Sequence, residues 1–288
     1  MAELELKRIL CPVDFSEHST QALRFAGRLA EVYRAEVIVL HAQQFEFPIY
    51  FTVAQTEDLK AQLRKNERAA SSYLDAYVNE HLPASVKRSA VLKEGDPVAE
   101  ILAVLKDYQA GLVVMGTHGR TGLTRVRLGS VMESVLRVAE APVLSVGPHV
   151  NSPPAGPSFR RVLCSTDLRS RDHRICDWAA RFAEMTGAEL TVLHVVEKTA
   201  GDDSSDEAIR QKLCEWVSPS VRGRCSVKEI IRRGNAPEQI VQEAEGSGAD
   251  LLVVGAYPRS SIETVLFGST TETLVRIAPC PVLTIIHK

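Results

Sequence analysis

Short apolar stretches alternate along the chain with longer segments whose apolar residues recur every three or four positions. Arg8–Asp14 (RILCPVD), Glu36–Ala42 (EVIVLHA), Val86–Leu92 (VKRSAVL), Leu112–Gly116 (LVVMG) and Pro142–Val146 (PVLSV) read as strands. They are short, mostly rich in branched side chains and bounded by turn residues. Lys87 and Arg88 interrupt the third. Helical spacing covers Glu17–Val32, Glu57–Glu80 and Pro97–Asp107, with a short helix over Gly129–Val138. Ser16 is placed to cap the first helix, and Asp96-Pro97 starts the third with proline at its first position. Strand and helix in alternation predict an α/β fold with a doubly wound parallel sheet and helices on both faces. Ligands of such sheets sit beyond the carboxyl ends of the strands, where strand order reverses.

The pattern is written twice. Arg8–Ala42 aligns without a gap on Arg161–Val195, and Arg8, Leu10, Cys11, Asp14, Ala26, Arg28, Ala30, Glu31, Ala35, Glu36, Val39, Leu40 and His41 all recur. Further on, Gly95 matches Gly234, Gly116 matches Gly255, Gly129-Ser130 matches Gly268-Ser269, and Pro142-Val143-Leu144 matches Pro281-Val282-Leu283. The offset is smaller there, so the first copy carries about fourteen extra residues in its middle. NSPPAGPS (Asn151–Ser158) has the composition of a linker. The expected organisation is two tandem domains, 1–150 and 159–288.

Composition narrows the function classes. The 288 residues hold 34 Lys+Arg against 36 Asp+Glu, a formal net charge of −2, without the basic excess that nucleic-acid binding by counterion release requires. A hydrophobic content of 45% with 24% charged residues is that of a globular chain. The opening MAELELKRIL meets charges before any apolar run, unlike a signal peptide, and no apolar stretch approaches a membrane span. The six cysteines are scattered and form no C-x-x-C pair, so neither a disulfide framework nor a common zinc motif is present. These features predict a cytoplasmic protein with no membrane and no nucleic-acid partner.

The chemistry is most legible at the predicted carboxyl ends. Asp14 closes the first strand, His41-Ala42 the second, and the fourth runs into GTHGRTGLTRVRLGS (Gly116–Ser130). Gly116 and Gly119 permit positive φ and close approach of the main chain to a ligand. Gly129-Ser130 opens a helix, leaving the amides of Ser130 and Val131 as donors at its positive end. This describes a phosphate cradle made of backbone, with Asp14 placed for a ribose hydroxyl or a phosphate-borne metal. A tight turn beside a helix-capping aspartate accounts for the same spacing.

Gly116-x2-Gly119-x9-Gly129-Ser130 resembles the ATP-binding signature of the universal stress protein family. The resemblance extends to ILCPVDFSEHSTQAL, EGDPVAEIL (Glu94–Leu102), VVMGTHG and APVLSVGP (Ala141–Pro148), covering nearly all of 6–148 and, more loosely, 160–288. It implies two five-stranded sheets of order 3-2-1-4-5 with ATP, alone or with Mg2+, across the first and fourth strand ends. Carried residue by residue, Pro12, Val13 and Asp14 would flank adenosine, with Asp14 nearest the ribose, and Ala42 would line the adenine pocket through its backbone. Met115, Gly116 and Gly119 would border the nucleotide, and Gly129, Ser130 and Val131 would hold phosphates. Gly111 stands where the family often has aspartate, at the far end of its strand. In single-domain relatives the closing strand mediates dimers, so here the two domains are expected to pair with each other about a pseudo-twofold axis, and a homodimer of the whole chain is a further expectation.

The second copy departs from the pattern. Its loop, GAYPRSSIETVLFGS (Gly255–Ser269), has Pro258 where the first has Gly119, and proline offers no amide and cannot take positive φ. Ser165-Thr166 replaces Pro12-Val13, while Asp167, Gly255 and Gly268-Ser269 remain. Nucleotide is therefore expected mainly in the first domain. Arg120, Arg125 and Arg127 lie inside the first loop and either screen phosphate or are solvated. FEFPIYF (Phe45–Phe51) is read as packing against its own domain, with a lid over the adenine, a partner contact or a membrane-surface contact as alternatives. His41 and His194 read as structural, His118 as a weaker phosphate candidate, and Cys11 and Cys164 as buried thiols rather than oxidant sensors.

Three function classes remain. One is an ATP-binding stress regulator whose nucleotide biases a surface for a protein partner. Another is a weak ATPase or nucleotidyl-transfer enzyme of the same fold, although HIGH and SGGxDS signatures are absent and no P-loop lysine or general base is identifiable. The third is a scaffold that holds a ligand other than a nucleotide.

Overall fold

A computed structural model describes residues 6–43, 53–119, 128–150, 159–168, 173–197, 205–256 and 268–286. The first half runs β1 (Arg8–Pro12), α1 (Glu17–Tyr33), β2 (Glu36–Gln43), α2 (Val53–His81), β3 (Arg88–Glu94), α3 (Pro97–Asp107), β4 (Leu112–Gly116), α4 (Ser130–Val138) and β5 (Val143–Val146). The second runs β6 (Arg161–Thr166), α5 (Arg174–Thr186), β7 (Glu189–Val196), α6 (Asp206–Trp216), α7 (Pro219–Arg224), β8 (Val227–Arg233), α8 (Ala236–Ser247), β9 (Leu251–Ala256), α9 (Ser269–Ile277) and β10 (Val282–Ile286).

Local chemistry sets the element boundaries. Ser16 caps α1 by accepting from the Ser19 amide, and Asp96 caps α3 by accepting from Ala99, with Pro97 next in line. At the end of α1 the chain turns through a left-handed Arg34 (φ 53°), and at the matching place after α5 through Gly187 (φ 68°). β1 stops two residues short of Asp14, whose carboxylate belongs to the following turn.

Each half has the expected order 3-2-1-4-5, but the two sheets are one. The strands run β3-β2-β1-β4-β5-β10-β9-β6-β7-β8. Within each half the pairs are parallel; β5 and β10 meet antiparallel, through Val282–Ser145, Leu283–Leu144 and Thr284–Val143. Two apolar closing strands, each the edge of its own half, satisfy their open N–H and C=O groups on each other. The second half repeats the first order in reverse across an antiparallel pair, as a local twofold axis requires. The carboxyl ends of the strands therefore point in opposite directions in the two halves.

Both cores continue across this seam. On one face Leu23, Phe25 and Leu29 of α1 join Trp178 and Phe182 of α5 over Leu144 and Leu283. Tyr33 meets Phe182 edge-on at 5.5 Å between ring centroids, and Phe159 meets Phe182 at 5.7 Å. On the other face Met132 and Val135 of α4 share a core with Leu274 and Val275 of α9 over Val143 and Val282. Strand alternation sends Ser145 and Thr284 to this second face, where both are buried and neither hydroxyl has a hydrogen-bond partner among the described residues.

At the amino end of the sheet Glu36 of β2 ties neighbouring strands together. Its carboxylate accepts from the Ser89 hydroxyl at 2.6 Å and lies 3.0 Å from Lys87 Nζ and 3.9 Å from Arg8 Nε. The Ser89 hydrogen bond, helped by Lys87 and Arg8, holds this carboxyl below its ordinary range although burial works the other way.

Two outcomes test this packing. An unpartnered buried hydroxyl destabilises, so Thr284→Val, which keeps the shape and removes it, raises stability by about 1 kcal/mol in urea unfolding; a loss of that size contradicts the placement. The stability Glu36 adds is present above the ordinary carboxylate range and is withdrawn as pH falls through its depressed folded value. Glu36→Gln accordingly lowers the urea midpoint at neutral pH, and the difference from the parent shrinks as the pH falls through and below the ordinary carboxylate range.

Candidate functional site

The ladder register brings the ends of three strands level. Pro12 pairs with Leu40, the Val13 amide donates to Leu40 O at 2.8 Å, and Ile9-Leu10 pair with Leu112-Val113. Val13, His41 and Gly116 thus close the same end of the sheet, as the fold requires of a crevice at the strand-order reversal. His41 Nδ1 lies 2.8 Å from Val13 O, and in the second half His194 Nδ1 lies 2.9 Å from Thr166 O. Both recurring histidines fasten the end of one strand to the next.

Beyond Val13 the chain enters a tight turn. Phe15 has φ 62°, and Leu168 has φ 57° at the equivalent place, a conformation bulky side chains rarely adopt. The Phe15 ring is anchored against His41 at 4.4 Å, Tyr73 at 4.9 Å and Tyr77 at 5.0 Å. This kink curls Asp14 over the start of α1, where Oδ1 accepts from the Ser16 amide at 3.1 Å and the Ser16 hydroxyl at 2.6 Å.

The glycine loop closes on the same turn. A Cβ on Gly119 would stand 2.6 Å from Asp14 Oδ2, one on Gly116 2.9 Å from the His18 backbone, and one on Gly129 3.2 Å from Thr117 O. None of the three has a positive φ; among the described residues the glycines in that region are Gly95, Gly187, Gly234 and Gly248. The expectation of positive φ at Gly116 and Gly119 is therefore corrected: their glycine identity comes from contact with the chain's own turn and helix. Gly95 and Gly234, which recur between the copies, carry it instead, at the turns into α3 and α8.

Thr117 is the junction of this loop. Its amide donates to Val146 O at 3.1 Å, its carbonyl accepts from the Gly129 amide at 2.9 Å, and its hydroxyl lies 2.9 Å from His118 Nδ1. Gly129 caps α4 without a side chain, so no side chain of its cap meets the first-turn amides. Ser130 is exposed and Val131 half-buried beside them, while Met115 is buried beneath the loop and Pro12 and Ala42 are half-buried at their strand ends. Arg120, Arg125, Arg127 and Phe45–Phe51 lie outside the described residues. Sequence reasoning passed over Phe15, His18 and Thr117, whose parts here depend on backbone conformation and contact rather than on a motif.

The second half keeps part of this arrangement. Gly268 caps α9 without a side chain, and the Thr271 hydroxyl donates to Gly255 O at 3.0 Å. Asp167 is exposed, and Thr166 Oγ1 accepts from Leu168 N at 3.1 Å. Pro258 lies outside the described residues. The Cys11 and Cys164 thiols are both buried, and their pKa values are raised, by burial for Cys11 and by contact with Cys176 followed by burial for Cys164. Among the described residues no group of three or more His, Cys, Asp or Glu is placed to hold a metal, and no helix is long and apolar enough to cross a membrane.

Comparison with known proteins agrees with this architecture. A universal stress protein of Mycobacterium tuberculosis H37Rv is 25% identical over 297 residues, spanning 96% of this chain and 95% of its own. One from Methanocaldococcus jannaschii is 33% identical over 141 residues, 49% of this chain and 81% of its own. A crystal structure of a universal stress protein from Archaeoglobus fulgidus aligns over 99% of this chain and 100% of its own, with a TM-score of 0.71 and 24% identity. The Universal stress protein family model matches residues 5–147 and again 158–285. The chain belongs to the universal stress protein family and carries its domain twice in tandem.

Proposed function

We propose that the protein is a cytoplasmic ATP-binding regulator of the stress response, with the nucleotide held by its first domain (1–150) and a degenerate site in the second (159–288). The observation that carries this reading is the meeting of Asp14, Gly119 and the glycine-capped start of α4 at one strand end. Ser130 and Val131 offer backbone donors to phosphate, favoured by the positive end of α4. Asp14 is the ribose partner, and Pro12, Val13, Ala42 and Met115 border the adenosine. Gly116 and Gly119 keep side chains out of the approach to the loop, and Arg120 screens phosphate charge. Bound ATP, alone or with Mg2+, sets the loop surface that a protein partner recognises.

The same geometry favours holding ATP over cleaving it. Asp14 Oδ1 already accepts from the Ser16 amide and hydroxyl, so it is engaged by the chain's own turn rather than open to a water attacking the γ-phosphate. Phosphate release by the purified protein is therefore expected at or near background. A turnover well above it would support the enzyme reading instead.

Denaturing the purified protein and counting the released nucleotide tests the binding reading. About one ATP per chain is expected. None, even after ATP is added back, contradicts it and leaves a scaffold for another ligand. Gly119→Ala forces the loop or the Asp14 carboxylate to shift and weakens ATP binding about tenfold or more, while Asp14→Ala weakens it by a similar factor. The two sites touch, so the double variant loses less than the product of the single losses, measured by titration calorimetry.

A further inference from the structure

The second domain places a helix against the first site. Because β5 and β10 run antiparallel, the far end of α9 reaches the strand-carboxyl end of the first domain. The contact is at Gly147, the residue after β5: a Cβ there would lie 3.6 Å from Val275 O of α9 and 3.9 Å from Thr117 Oγ1. Thr117 is the junction that joins Val146 of β5 to the Gly129 cap of α4. One glycine thus stands between a helix of one domain and the loop of the other. The repeat makes the arrangement one-sided, because the position matching Gly147 in the second copy is Ile286, a half-buried side chain packed into the core.

We propose that α9 of the second domain is a positioning element of the first domain's nucleotide site, acting through Gly147 on Thr117. The degenerate second domain thereby acquires a role, since its last helical turn lies behind Gly147 and Thr117, and Thr117 holds the Gly129 amide at the start of α4. A residue larger than alanine at 147 must push α9 and Thr117 apart, because it stands between them and interiors are packed too closely to absorb a branched side chain. Alanine fits, since 3.6 Å is ordinary contact distance and Gly147 has no positive φ. The proposal rests on the nucleotide reading of the first site, so its test includes a readout that needs no nucleotide.

The test compares Gly147→Ala and Gly147→Ile in the full chain. Without ATP, amide hydrogen exchange at Thr117–Gly119 and in the last turn of α9 is expected to match the parent in the alanine variant. It is expected to rise together in both segments in the isoleucine variant, with the rest of the sheet unchanged. ATP affinity is expected to hold within about twofold for alanine and to fall about tenfold for isoleucine. Unchanged exchange in the isoleucine variant, or a rise in only one of the segments, overturns the coupling whether or not ATP binds. Should the isoleucine variant not fold, Gly147→Val and the unmodified chain decide: ATP at one equivalent must slow exchange in the last turn of α9, and protection confined to the first domain overturns the proposal. A parent chain that binds no ATP refutes the nucleotide reading, while the exchange result without ATP still decides the contact.

Discussion

Three antiparallel residue pairs between β5 and β10 govern the architecture. Without them each half would end in an apolar edge strand with open backbone donors and acceptors, a surface prone to pairing with whatever strand it meets. With them, two five-stranded sheets become one of ten strands, and each face acquires a core that runs through both halves. The direction of the pairing matters as much as its existence. Antiparallel joining turns the two strand-carboxyl ends away from each other and lays the end of each closing helix near the other half's crevice.

The candidate site is built mostly from the chain's contacts with itself. Asp14 bonds the turn that starts α1, Gly119 sits on the Asp14 carboxylate, Gly116 sits on the His18 backbone, and Gly129 is tied to Thr117. Close packing removes side chains at the positions where a bulky ligand such as a nucleotide would have to approach. A glycine motif of this kind thus has an internal cause, which operates with no ligand present. The second half retains the glycine-capped helix but ties α9 to its strand end through the Thr271 hydroxyl, a bond that buried Met132, at the equivalent position, cannot make.

Much of this was legible from the residues alone. Alternating patterns place β4 and α3 at their observed bounds, because strong turn and cap residues bracket both. β3 lies two residues beyond its expected start: as an edge strand half open to solvent it tolerates the charged residues that blur its pattern. The repeat revealed two equivalent units and closing strands suited to pairing. Spacing carries no information on φ, which is why positive φ is expected on the loop but is found at Gly95, Gly187, Gly234 and Gly248 and, among the non-glycine residues, at Phe15, Arg34, Gln109 and Leu168. Nor does any local pattern connect Gly147 with Val275, whose contact exists only once the seam has formed.

A crystal structure grown from the protein with ATP is the most direct examination of the central claim, that one nucleotide site works at the Asp14 end of the first domain. The expected result is a single nucleotide between Asp14 and the start of α4, its phosphates on the Ser130 and Val131 amides, and no nucleotide at Asp167. A nucleotide bound at the Asp167 end alone, or a first crevice left empty at saturating ATP, would contradict it.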